Sequence, residues 1–154
     1  MPTIEELEKF DKLKTKVLKY IMYKKRTEQE IIRKFSSVDN QEILEDVIKN
    51  LKEIGYINDE SYIERAVAEF MNLNNLSRKE LKYKLMSKGI NTNVMDNYFE
   101  NNIDKLEYYE INSARNIILK KQYNMDEQQL IQYLLKKGYK IESIKKATND
   151  ISKS

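Results

Sequence analysis

The sequence predicts an all-α protein of three tandem three-helix repeats, helix-turn-helix-like in their geometry and forming an elongated, curved array. Three observations carry this. One proline, at position 2, and three glycines leave few breakers inside segments dominated by Leu, Ile, Lys and Glu. Apolar residues recur at three- and four-residue steps, as in Phe10, Leu13, Val17 and Ile21. One piece of punctuation is also written three times, as RTEQEIIRKFSSV at 26–38, LSRKELKYKLMSKGI at 76–90 and MDEQQLIQYLLKKGY at 125–139, at successive offsets of 50 and 49 places.

The first helix spans about 4–24, with Tyr20 and Tyr23 flanking its apolar stripe. Tyrosines at that spacing read first as core or rim, and second as stacking platforms for bases. Each repeated stretch then opens with a cap residue followed three places later by Glu or Gln: Thr27 with Glu30, Ser77 with Glu80, Asp126 with Gln129. In such a capping box the two side chains satisfy each other's exposed backbone donors. Leu76 with Leu81 and Met125 with Leu130 are placed to staple two of the three starts, and Ile31 and Phe35, Leu81 and Leu85, and Leu130 and Leu134 mark the buried faces. The second and third copies stop at Lys88-Gly89 and Lys137-Gly138, where glycine takes the left-handed conformation that ends a helix. The first stops at Ser36-Ser37.

A longer helix precedes each copy, at 4–24, 60–73 and 104–121, and another follows, at 40–54, 92–101 and 141–151. The chain divides into three units: 1–57, 58–102 and 103–154. A unit this small buries little surface alone, so neighbours are expected to pack in series and to present a long contact surface.

Composition removes several chemistries. With no cysteine and no histidine, disulfides and thiolate or imidazole metal sites are excluded, and scattered glycines make no phosphate loop. Asp59-Glu60 is the most suggestive carboxylate pair, yet after Gly55-Tyr56-Ile57-Asn58 it reads as the acidic first turn of a helix. A binding protein is expected, with no catalytic residue, cofactor, metal or small-molecule substrate. The start, MPTIEELEKFDKL, is no signal peptide, and no run of apolar residues is long enough to span a membrane, so a cytoplasmic protein is expected.

Charge is nearly balanced, 28 Lys+Arg against 25 Asp+Glu, but it is sorted along the chain. KTKVLKYIMYKKR at 14–26 holds six basic residues and no acid, whereas 58–75 holds Asp59, Glu60, Glu64 and Glu69 against Arg65 alone. Such sorting makes either a basic face for a polyanion or a set of solvated helix faces.

GYINDESYIERAV at 55–67 followed by SRKELKYKLMSKGI at 77–90 resembles the RecX family of recombination regulators. In that family a Gly-Tyr-Leu/Ile-Asp/Asn-Asp-x-x-Tyr element precedes a capped basic helix ending in Lys-Gly-Ile/Phe. The resemblance covers the whole chain as three repeats, and its middle repeat is the most specific. It departs from the family at Asn72-Leu73-Asn74-Asn75, where glycine and basic residues are common. The resemblance implies a modulator that lies in the groove of the RecA filament on single-stranded DNA, blocks its growth or strand exchange and depresses its ATP hydrolysis, without a reaction of its own.

Carried onto this chain, the implied contacts are the basic positions of the repeated helices and their approaches: Lys24, Lys25, Arg26, Arg33, Lys34, Arg78, Lys79, Lys82, Lys84, Lys88, Lys136 and Lys137. They would meet RecA, or single-stranded DNA directly or through RecA. Arg65 and Arg115 are assigned to intramolecular pairing. The other class of function is a helix-turn-helix DNA-binding protein acting on duplex sites without RecA.

Overall fold

The computed structural model describes residues 1–153, and among them it holds nine α-helices and no strand. In order these are α1 (Ile4–Tyr23), α2 (Glu28–Lys34), α3 (Gln41–Glu53), α4 (Asp59–Leu73), α5 (Arg78–Ser87), α6 (Thr92–Asn101), α7 (Ile103–Lys121), α8 (Glu127–Lys137) and α9 (Ile141–Lys153). Long, short and following helices alternate three times, and every helix starts within a residue or so of its expected position. The helix α9 extends two residues beyond the expected 151.

The capping chemistry explains these boundaries. Thr27 and Asp126 form complete capping boxes with Glu30 and Gln129. Ser77 does the same with Glu80, since each backbone N–H donates to the other's side chain at 3.0 Å. A fourth box, Thr3 with Glu6, starts α1; its Thr-x-x-Glu signal stands in the sequence but was not among the expected caps. The end of α8 is a Schellman turn, in which Gly138 at φ 102° lets its own N–H donate to Leu135 O and that of Tyr139 to Leu134 O, both at 3.0 Å.

The chain forms two compact units. The first comprises residues 1–62 with the short segment 88–91, and the second comprises the rest. In the first, α1 packs on α3, and Leu13, Val17, Ile21, Ile31, Leu44, Val47, Ile48, Leu51 and Ile57 form the core. Phe35 borders this core, half-buried, with its ring edge-on to Tyr20 at 5.9 Å. Tyr20 is therefore rim, whereas Tyr23 is 87% exposed. In the second unit α7 packs against α9, and Ala114, Ile117, Ile118, Leu130, Leu134, Tyr139, Ile144 and Ala147 form one cluster. Leu81 and Leu85 are fully buried, as their place on the apolar stripe of α5 predicts.

One joint is built twice. In the first unit the Thr27 hydroxyl, fully buried, accepts the Glu30 N–H and donates to the carbonyl of Lys88 at 2.8 Å. In the second the Ser77 hydroxyl, equally buried, accepts the Glu80 N–H and donates to the carbonyl of Lys137 at 2.8 Å. Each glycine that follows the accepting carbonyl makes room for this approach: a Cβ on Gly89 would stand 2.8 Å from Gln29 Cβ, and one on Gly138 2.9 Å from Lys79 Cβ. The first backbone N–H of each capped helix meets a carboxylate from a later helix, Glu28 N–H donating to Asp59 at 3.1 Å and Arg78 N–H to Glu110 at 2.9 Å. The Lys-Gly ends and Ser/Thr caps that repeat in the sequence thus meet each other in space, across 61 and 60 residues of chain.

Candidate partner-binding surface

The basic residues fall into three local groups. Near the end of α1, Lys24 and Lys25 are exposed. Arg26 is half-buried, with its guanidinium 4.1 Å above the Tyr20 ring and a buried Nε that has no hydrogen-bond partner. Lys34 approaches the same ring at 5.7 Å. The Tyr20 ring therefore stands close to both Arg26 and Lys34 and attracts each through cation–π interaction. Arg33 is exposed on the last turn of α2, where a cation also meets the negative end of the helix dipole.

The α5 group is divided. Lys79, Lys82 and Lys84 are exposed, but Lys82 and Lys84 lie two places apart and so point to different sides of the helix. Lys82 reaches Asp96 at 3.7 Å and the Phe99 ring at 5.7 Å, whereas Lys84 stands 5.8 Å from the Phe70 ring. Lys88 lies beyond the end of α5, half-buried, with its carbonyl engaged by Thr27. Expected together as contacts, the basic residues of this stretch are divided by the helix period.

Arg78 requires a larger correction, because it was expected to be an exposed contact. Its side chain is only 18% exposed and forms a two-pronged contact with the fully buried Glu110, from Nε at 3.0 Å and Nη2 at 2.8 Å. Ser143 donates to the same carboxylate at 2.6 Å. Glu110 therefore accepts from a helix start, a guanidinium and a hydroxyl, and its charge is used inside the fold. The sequence carries a signal for it: Glu110 stands four places before Ala114, an acid on the buried stripe of α7.

In α8, Lys136 is exposed. Lys137 is half-buried and reaches Glu80 at 3.9 Å, the carbonyl of Asn75 at 3.5 Å and the Tyr133 ring at 5.6 Å. It too is occupied within the second unit. Arg65 departs from expectation in the opposite direction, being exposed and in no ion pair among the described residues. Arg115 is half-buried and donates to Asn112 at 2.7 Å, which is the intramolecular role expected of it.

The remaining titratable groups serve structure. Asp59 accepts backbone N–H groups from Glu28 and from Asn91, at 3.1 and 3.4 Å, beyond the helix-start role its position predicts. Burial pushes the Tyr139 and Tyr109 hydroxyls above the ordinary phenol range; Tyr139 shares a 2.6 Å hydrogen bond with Ser113, and Tyr109 accepts the Leu76 N–H. At the surface, the hydrogen bond from Lys146 holds the Glu107 carboxyl below its ordinary range.

Repeated capped helices, buried leucines and surface cations place the chain in the helical-repeat class. No family model matches the chain. It is 28% identical over 146 residues to the regulatory protein RecX of Streptococcus agalactiae serotype III, a match covering 88% of this chain and 55% of that protein. It is 31% identical over 111 residues to RecX of Caldanaerobacter subterraneus, covering 71% and 55%, and 36% identical over 84 residues to RecX of Finegoldia magna, covering 54% and 41%. The chain thus spans about half the length of these curated relatives. The fold is that of the crystal structure of RecX from Lactobacillus salivarius, with a TM-score of 0.77 at 23% identity over 96% of this chain and 99% of that one. In sequence the chain is similar to the RecX regulatory proteins, and in fold to their crystal structures. The middle repeat, where the sequence resemblance is most specific, supplies the buried cap Ser77 and Arg78, which meet Lys137 and Glu110 of the third.

Proposed function

We infer that the chain regulates RecA, binding the RecA filament on single-stranded DNA in the cytoplasm and restraining its ATP hydrolysis, strand exchange and extension. The likeness to RecX regulatory proteins supports the reading. The observation that carries it is the outward placement of Lys24, Lys25, Arg33, Lys34, Lys79, Lys82, Lys84 and Lys136. Such cations attract phosphates or acidic protein surface and impose no base sequence. In this reading the half-buried Arg26, Lys88 and Lys137 are secondary contacts, and Arg78 serves the fold through Glu110. The repeats 1–57, 58–102 and 103–154 are the modules that lay this surface out, and the protein acts by occupancy, with no reaction of its own.

The test is RecA's ATP hydrolysis on single-stranded DNA. Wild-type chain should suppress it below the concentration at which the chain coats DNA alone, and suppression should weaken as salt shortens screening to about 8 Å in the physiological range. The Lys82→Glu/Lys84→Glu variant, folded by circular dichroism, should suppress it poorly. Equal suppression by that variant removes α5 from the contact surface and leaves Lys24→Glu/Lys25→Glu as the next comparison. Equal suppression by both variants, or no suppression by wild type, refutes the reading.

A further inference from the structure

We propose that a cleft in the second unit, walled by α5, the start of α7 and the turn between α8 and α9, binds a nucleotide: its base lies against Phe99 and its phosphate among Lys79, Lys82 and Lys140. The proposal shares Lys79 and Lys82 with the surface described above and adds Lys140 and Phe99, which the sequence patterns did not single out. The cleft has a volume of about 540 Å³, and its apolar floor is Phe99, Ile103 and Leu106. Cavities of this size, apolar with a few convergent polar groups, are the usual form of a small-molecule site.

Four cationic residues and one carboxylate line the cleft. The Glu110 carboxylate at its wall is already met by Arg78 and Ser143, so it does not offset the lysines at the rim. Lys79 and Lys140 are exposed and in no ion pair among the described residues. Among the described residues the one ion pair of Lys82 is its 3.7 Å contact with Asp96, where both side chains are about half exposed. The Lys82 ammonium also stands 5.7 Å from the Phe99 ring centroid, so one cation reaches both the ring and the space beside it. Ile103 is 57% exposed at the same place, leaving an apolar shelf next to three ammonium groups. A flat apolar ring carrying a phosphate satisfies both surfaces, because bases stack on aromatic faces while lysines neutralise the phosphate. A small inorganic anion would leave the shelf uncovered.

Two sources supply this chemistry, a free nucleotide and a unit of single-stranded nucleic acid. They are separated by titrating the isolated chain with thymidine 5′-monophosphate and with a fluorescein-labelled oligothymidylate, following Ile103 and Leu106 methyl signals and anisotropy. Saturable shifts of both methyls with either probe support the cleft. Competition by the monophosphate assigns the free nucleotide, and binding of the oligomer alone assigns the polymer. Lys79→Glu/Lys140→Glu should weaken the effective probe about tenfold or more. For the oligomer it should also lower the slope of log affinity against log salt by about 1.4, at about 0.7 for each single-strand phosphate that the variant no longer neutralises. Phe99→Leu, which keeps apolar volume and removes the stacking face, should weaken binding severalfold, while Lys49→Glu on α3 should change nothing. Unmoved methyls, or equal binding by the lysine double variant, overturns the proposal. RecA is absent throughout, so a chain that suppresses RecA but leaves these methyls unmoved keeps the regulatory reading and loses the cleft.

Discussion

Replacing Glu110 by alanine should be among the most damaging single changes outside the apolar core. The carboxylate is fully buried and accepts the Arg78 backbone N–H at 2.9 Å, the Arg78 guanidinium at 3.0 and 2.8 Å, and the Ser143 hydroxyl at 2.6 Å. Alanine leaves a helix N–H, a guanidinium and a hydroxyl facing a small void. Breaking a buried pair by removing one partner costs about 3 to 5 kcal/mol. The Arg78 side chain is 18% exposed and can recover part of its hydration, which places the cost near the lower end, about 3 kcal/mol. For a chain of this size that corresponds to a fall in Tm of roughly 6 to 12 °C, at about 2 to 4 °C per kcal/mol. The assay is urea and thermal unfolding of four proteins: wild type, Glu110→Ala, Arg78→Ala and the double variant. The double variant should lose less than the sum of the singles, because removing both partners leaves no unpaired charge. A loss below about 1 kcal/mol for Glu110→Ala, or strict additivity in the cycle, would show that the carboxylate does not tie the start of α5 to α7 and α9.

Four further outcomes follow from the same geometry. Ser77→Ala should cost about 2 kcal/mol in urea unfolding, since the hydroxyl both caps α5 and donates to Lys137 O; a loss of only a few tenths would mean that neither bond contributes. Gly138→Ala should lower stability by at least about 1 to 2 kcal/mol, from left-handed backbone alone, and more if Lys79 Cβ, 2.9 Å from the new methyl, cannot move; an unchanged melting curve would contradict the close approach. Tyr139 and Tyr109 should stay protonated into alkali above the ordinary phenol range, read by absorbance at high pH. Their folded affinity for the proton is raised, so stability should fall as pH rises above about 10, the ordinary phenol value, and an increase there would reverse the sign. Carboxyl NMR should find Glu107 titrating below the ordinary carboxylate range, with Lys146→Ala moving it back up. The contribution of the contact is present above the ordinary carboxylate value and is lost as pH falls through the depressed one.

Much of the fold was legible because its determinants are local. A cap residue, an acid or amide three places on, leucines at helical spacing and a terminal glycine all act within a few turns, so the three copies marked the starts of α2, α5 and α8 without reference to any distant residue. The candidate surface was legible only as a set of lysines and arginines. Lys82 and Lys84 stand in one basic stretch and were expected as contacts together, but two steps along a helix turn a side chain through more than half a circle, and the structure gives them separate aromatic neighbours. Arg78 reads like any exposed basic residue at a helix start, and only the arrival of Glu110 from 32 residues away draws it inward.

By itself, then, the sequence determined the helical class, the three repeated helix starts, the leucines that face inward and the absence of thiol or imidazole chemistry, since these depend on composition and on short-range backbone hydrogen bonding. Tertiary structure decided which cations remain available. It turned the Ser/Thr caps and Lys-Gly ends from separate stop signals into two buried joints, made Glu110 and Asp59 caps for helices they do not belong to, and brought Lys140 and Phe99 beside Lys79. The hydrogen bonds of the joints and caps link residues 31 to 61 positions apart, where a bond depends on how helices pack and not on any pattern within one of them.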